Sequence, residues 1–137
     1  MITMESLPDD LKRILGPNEQ VQLYISQKIY HPTINVDSVV ITNLRIILRH
    51  PHALGLKKDY TDFSYSDISG VQLNKGIGRS TIKLKLKGEE KPLELGKLPN
   101  SLAEKGYGII RENVDRFQAP FSTGNANAPD APKTRKK

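Results

Sequence analysis

Polar and apolar residues alternate through most of the chain, and the period of that alternation changes only near its two ends. Leu7, Leu11, Ile14 and Leu15 recur at helical spacing, which marks one apolar stripe on a helix. Ser6 stands where a cap belongs, with Asp9 three residues on, and Gly16-Pro17 ends the pattern. A helix of about two to three turns is therefore expected within residues 1–16. So short a helix is not stable alone. Its stripe must lie on the main domain, on a partner or on a lipid surface, and packing on the domain is the plainest reading.

From Gln20 the period becomes two. Val21, Leu23, Ile25 and Ile29 fall on one face, and Gln22, Tyr24, Ser26, Lys28 and Tyr30 on the other, the signature of a half-buried strand. A polar bend at His31-Pro32-Thr33 leads through Asn35 and Asp37 to Ser38–Thr42, and Asn43-Leu44 turns the chain into Arg45–Arg49, so a hairpin is predicted. His50-Pro51-His52 with Gly55 is read as the break after it, and Thr61, Phe63 and Tyr65 mark the next strand. Val71 and Leu73 lead to a turn at Gly76 and Gly78. Beyond it Ile82, Leu84 and Leu86 alternate with Lys83, Lys85 and Lys87, and after Gly88-Glu89-Glu90 come Leu93 and Leu95. Some seven short strands so spaced predict an antiparallel sandwich or barrel.

After Lys97-Leu98-Pro99 the helical period returns. Asn100 or Ser101 serves as cap, Leu102, Ile109, Ile110, Val114 and Phe117 form the stripe, and Pro120 closes the helix. Gly106 and Gly108 inside it each cost about 1 kcal/mol relative to alanine, so they imply close approach to the sheet or a weak first turn. Residues 119–137, rich in Pro, Gly and Asn, cannot bury enough apolar surface to order themselves and are expected to form a disordered basic tail. The expected division is a helix at 1–16, a domain at 17–118 and the tail.

Composition narrows the classes. With 137 residues the chain fits one domain, and without cysteine it has no disulfide framework, thiol nucleophile or CxxC zinc site. No uncharged run is long enough to span a bilayer, and Glu5, Asp9 and Asp10 stand where a signal peptide would be basic and then apolar. A cytoplasmic location is expected. The net charge is +6, but Lys133, Arg135, Lys136 and Lys137 against Asp130 place +3 of it in the tail. The remainder is too weakly basic for a dedicated nucleic-acid binder.

Particular residues sharpen the fold. Val39-Val40-Ile41-Thr42-Asn43-Leu44-Arg45-Ile46-Ile47-Leu48 resembles the "apolar run, Thr-Asn-x-Arg, apolar run" hairpin of prokaryotic pleckstrin-homology-like (PH-like) and GRAM-like domains. Phe63–Val71 is similar to that family's aromatic strand end, acidic turn and Ile-Ser-x-Val, and Lys75–Ile82 to its Lys-Gly turn before a Ser/Thr-led strand. The resemblance covers residues 17–117. It implies a mainly β fold: a seven-stranded antiparallel PH-like sandwich or barrel capped by a C-terminal helix, with a short N-terminal helix in front. It leaves function open, because PH-like folds serve lipid headgroups, peptides and self-association alike. Phosphoinositide-binding relatives cluster Lys and Arg in and beside the first hairpin loop, whereas His31–Asp37 contains neither and Lys28 alone flanks it. That departure argues against specific phosphoinositide binding.

The best candidate surface is the turn of Lys75, Gly76, Gly78 and Arg79 with the outward row Lys83, Lys85 and Lys87, to which Lys57 and Lys58 can add. Glycines let backbone N–H groups converge on an anion, and cations attract a negative surface. A lysine row is equally the ordinary protection of a sheet. Gly76–Thr81 lacks phosphate-loop spacing and precedes a strand, so nucleotide binding is rejected. His50 and His52, split by Pro51, are too few for a metal site, and no nucleophile–base pair or carboxylate pair in a cleft points to an enzyme. Asp59, Asp62 and Asp67 read as caps and turn residues. No cofactor is implied. The expectation is a non-catalytic module working by self-association or protein docking, through an open sheet edge and the apolar helix faces. The alternative is a peripheral module on anionic membranes, and a third reading confines nucleic acid to a weak contact through Lys133, Arg135, Lys136 and Lys137.

Overall fold

The computed structural model describes residues 7–30, 35–51 and 58–122. A short helix α1 (Asp9–Arg13) precedes β1 (Val21–Tyr30), β2 (Asn35–Thr42), β3 (Arg45–Pro51) and β4 (Lys58–Ser64), which form one antiparallel sheet in that order. One 3-10 turn, Tyr65–Asp67, carries the chain to a second antiparallel sheet of β5 (Ile68–Lys75), β6 (Arg79–Leu86) and β7 (Leu93–Pro99), and α2 (Asn100–Ser122) follows. The architecture is the PH-like sandwich: seven strands in two sheets, with one helix before the strands and one after them.

The alternation explains the core. Leu23, Ile25, Val39, Ile41, Ile46 and Leu48 face Ile82, Leu84, Leu95 and Leu98 between the sheets, and Ala103, Ile110 and Val114 of α2 close one side. Gly106 makes that closure possible. A Cβ there would lie 3.3 Å from Ile82 Cδ1, 3.5 Å from Leu23 Cδ2 and 3.6 Å from Ile41 Cδ1, so this glycine marks close approach of α2 to both sheets. Gly108 has open space around it.

Several boundaries differ from the sequence pattern. α1 is five residues long, with Pro8 at its N-cap and no side-chain cap; Ser6 lies outside the described residues. Val21 does not share a face with Leu23 and Ile25. A bulge puts one extra residue of β1 between the pairs Val21↔Thr42 and Leu23↔Ile41, and Val21 turns to the outer face with Tyr24. β3 runs on through His50 and Pro51, which pair with Asp59 and Lys58, because at the sheet's end a proline forfeits little. Tyr65 leaves the strand for the 3-10 turn. β7 continues through Leu98 and Pro99, with Lys97 at φ 59° in a second bulge. α2 begins at Asn100, and its backbone stays helical past Pro120 to Ser122.

α1 packs on the domain. Leu7 and Leu11 bury against Val40 and Ile47 on the outer face of β2 and β3, with Ile14, Leu15, Val21, Tyr24 and Tyr60 around them. The first sheet is therefore covered on both faces there.

Candidate functional site

The β5–β6 hairpin holds the first half of the predicted surface. Gly76 N–H donates to Arg79 O at 2.8 Å, and a Cβ on Gly76 would come within 2.8 Å of that same oxygen, so only glycine fits. Gly78 sits at φ 81°, in the left-handed region that glycine enters without cost. Both glycines serve the tight turn. Lys75 Nζ lies 2.5 Å from Glu104 Oε2 of α2, and Arg79 Nη1 donates to Lys97 O at 3.4 Å. Asn100 clamps the hairpin base: its Nδ2 donates to Gly76 O at 3.4 Å and its Oδ1 accepts a short bond from Ser80 Oγ.

Lys83 and Lys85 stand apart from the tip, on the outer face of β6. They line a shallow depression of about 370 Å³ with Gly70, Gln72, Glu90 and Pro92. Lys83 lies opposite Gln72 on one side and Glu94 on the other. The face therefore carries mixed charge rather than a cationic stripe. Lys87 lies in the turn after β6, where its N–H donates to Asp67 O at 2.9 Å. Lys58 belongs to β4 in the other sheet. Lys57, His52, Lys133, Arg135, Lys136 and Lys137 lie outside the described residues.

The Thr-Asn-x-Arg hairpin is a hub that the sequence pattern did not reveal. Thr42 Oγ1 accepts the N–H groups of Leu44 and Arg45, both at 3.0 Å, and donates to Glu19 Oε2 at 2.7 Å. Asn43 N–H donates to Gln20 O at 3.0 Å, and its Oδ1 accepts Gln20 N–H at 2.6 Å. Arg45 grips Glu19 and also donates from Nη2 to Ile14 O at 2.7 Å and from Nη1 to Asp62 Oδ2 at 3.2 Å. Burial alone would raise the Glu19 pKa. The hydrogen bonds from Arg45, Gly16 and Thr42 outweigh it and hold the carboxyl below its ordinary range. The motif is thus architectural, tying the N-terminal segment to the β2–β3 turn.

A second cluster pins α1. Arg49 donates from Nε to Asp37 Oδ1 at 2.8 Å and from Nη1 to Asp10 Oδ1 at 3.1 Å, while Tyr60 Oη donates to Asp10 Oδ2 at 2.5 Å. Burial pushes the Asp10 pKa up, but the bonds from Tyr60 and Arg49 and the Arg49 charge bring it below its usual value. At the heart of the domain Tyr65 Oη donates to Thr42 O at 2.5 Å. Burial pushes its phenol up to about 12. Asp62 and Asp67 are engaged in the structure, the latter accepting Ser64 Oγ at 3.1 Å. His50 Nε2 lies 2.8 Å from Thr61 Oγ1. Among the described residues no three His, Asp or Glu side chains stand close enough to share a metal ion.

A sequence model of the bacterial PH domain matches residues 15–112, which takes in all seven strands and most of α2. The chain belongs to the bacterial PH-domain family. Solved structures agree. A pleckstrin-homology-domain protein of Shewanella loihica superposes with a TM-score of 0.61 at 24% identity, over 85% of this chain and 93% of that one. The PH domain of Shewanella amazonensis gives 0.53 at 26%, over 80% and 93%. The Vps36 N-terminal PH domain shares the fold at 12% identity, with a TM-score of 0.60 over 77% of this chain and 86% of its own. An uncharacterized protein of Archaeoglobus fulgidus is 29% identical over 116 residues, 84% of this chain and 59% of the relative's length. This PH domain thus spans well under two thirds of that relative. A PH-domain fold is in general a scaffold for binding, and in this one no helix among the described residues is long and apolar enough to cross a membrane.

Proposed function

We propose that this bacterial PH domain is a non-catalytic, cytoplasmic docking module that pairs its β4 edge with an extended protein segment, in the first instance the β4 of a second copy. The apolar stripes of α1 and α2 are spent inside the domain, and the edge strands β1 and β7 lie beside each other. α2 also runs antiparallel beside β5, tied to it at both ends by Gln118 Nε2 to Ile68 O at 2.9 Å and by the Lys75–Glu104 pair. The observation that carries the reading is the far side of β4: among the described residues no strand pairs with it.

An unpaired edge offers a row of N–H and C=O groups to an incoming strand. Two β4 strands related by a two-fold axis near Tyr60 run antiparallel and set the Lys58 of each copy opposite the Asp62 of the other, so their charges complement. Light scattering of the full chain over a concentration series tests this. A mass rising from the 15.3 kDa of one chain to twice that, abolished by Lys58→Glu, is the expected result. A single-chain mass at every concentration would reject a second copy as the occupant.

A further inference from the structure

Ile77 and Leu44 are the only large apolar side chains among the described residues that stand exposed, and Ile77 is fully so, at the tip of the β5–β6 hairpin. Turn chemistry does not ask for it. Hairpin tips favour Gly, Asn, Asp, Pro and Ser because of backbone needs, and here Gly76 and Gly78 already meet those needs. The hairpin is closed by the Gly76–Arg79 backbone bond and tied at its base by Asn100, with the exposed Lys75–Glu104 pair on its flank. Ile77 is thus presented outward on a braced support, with Lys75 and Arg79 as its shoulders.

The geometry points to a membrane wedge: we propose that Ile77 enters the acyl boundary of an anionic bilayer while Arg79 and Lys75 rest among the headgroup phosphates. Lys75 and Arg79 against Glu104 leave this end of the hairpin net positive, which complements an anionic surface. The depth also matches. At about 3.4 Å per strand residue, Lys75 lies no more than roughly 7 Å behind the tip, within the ~5–10 Å by which the apolar face of an interfacial helix sinks into the headgroup/acyl boundary, and Arg79, level with Gly76, lies nearer the tip. A lone convex apolar residue collared by cations suits that layered surface better than a protein groove, which would need a wider apolar patch. The mixed charges around Lys83 and Lys85 play no part, and neither does the β4 edge.

The chain contains no tryptophan, so Ile77→Trp makes the full chain its own reporter. Phosphatidylcholine vesicles carrying phosphatidylglycerol should shift its emission to the blue and let acyl-brominated lipid quench it, whereas pure phosphatidylcholine should do neither. In co-sedimentation with the same anionic vesicles, Ile77→Ser should weaken partition at least about tenfold and Arg79→Glu at least about fivefold. Far-UV circular dichroism should be unchanged in all three variants. Equal binding of wild type and Ile77→Ser, or an emission indifferent to anionic vesicles, would overturn the proposal. So would a blue shift that appears without lipid and grows with protein concentration, which would place the tip in a second copy.

Discussion

Arg45 holds Glu19 by two parallel hydrogen bonds, Nε to Oε2 at 2.9 Å and Nη2 to Oε1 at 3.1 Å, across 26 residues of sequence. The Glu19 side chain is only 2% exposed, and the same guanidinium reaches Ile14 O and Asp62. One residue therefore joins the end of the N-terminal segment, the β2–β3 turn and β4. Arg45→Met should cost about 3 kcal/mol or more in urea unfolding, because it strands a buried carboxylate without its counter-ion. Adding Glu19→Gln removes the charge, and the double variant should lose less than Arg45→Met alone, a coupling that a double-mutant cycle reads directly.

Acid should loosen this joint together with the cluster that pins α1. Glu19 and Asp10 both have native pKa values below their ordinary 4.5 and 3.8. A depressed carboxyl contributes stability that is fully present above its unfolded pKa and is lost as pH falls through the native one. Unfolding free energy should hence be level from neutrality to about pH 5 and fall below about 4.5, with Glu19→Gln flattening the upper part of that limb. Urea midpoints measured from pH 7 to pH 3 check this. A limb unchanged in Glu19→Gln would assign the acid sensitivity to other carboxylates.

Gly106 and Gly108 make an internally controlled pair. Both pay the glycine penalty in a helix, about 1 kcal/mol against alanine. Gly108→Ala meets nothing within 4 Å and should recover that amount, raising the melting temperature by several degrees. A Cβ at Gly106 meets Ile82 Cδ1 at 3.3 Å, tight enough that this methyl must give by a few tenths of an ångström, and touches Leu23 and Ile41 at ordinary contact distances, in a core with little room to give. Gly106→Ala should recover nothing and end at least 1 kcal/mol or so below Gly108→Ala. Equal gains at the two sites would show that the end of the Ile82 side chain yields the few tenths of an ångström at no cost.

What was legible in the sequence was what has a short period. Ile82 and Leu84 against Lys83 and Lys85 announce β6 unaided, because each residue's face follows from its neighbours. Relationships between distant residues were not. Nothing near Lys75 announces Glu104, and nothing near Glu19 announces Arg45. Sequence proximity groups these lysines as one surface, yet the fold assigns Lys75 to an ion pair beside α2 and Lys83 to a strand position opposite Glu94. Bulges were missed for a related reason: the extra residue beside Val21 reverses its face without any change in composition. Ile77 could have been found, since an isoleucine between two turn glycines contradicts its own position.

The N-terminal segment yields the last prediction. Five helical residues have no stability of their own, so α1 exists because Leu7 and Leu11 cover Val40 and Ile47 and because Asp10 meets Arg49 and Tyr60. Leu11 is the more deeply buried of the two leucines, with 1% of its surface exposed. Removing its side chain would open a cavity costing about 2–5 kcal/mol if the segment stayed in place. The segment need not stay, because it belongs to neither sheet and can detach instead. The loss should then be capped near the low end of that range, about 2 kcal/mol, with Val40 and Ile47 left bare. Leu11→Ala should therefore bind an apolar fluorescent dye and admit protease cleavage before Val21 while the sandwich stays folded. Asp10→Asn, which keeps the apolar cover, should cost nearer 1 kcal/mol and bind no dye. Dye binding by both variants alike would mean that the ion pair, rather than the leucines, holds the segment down.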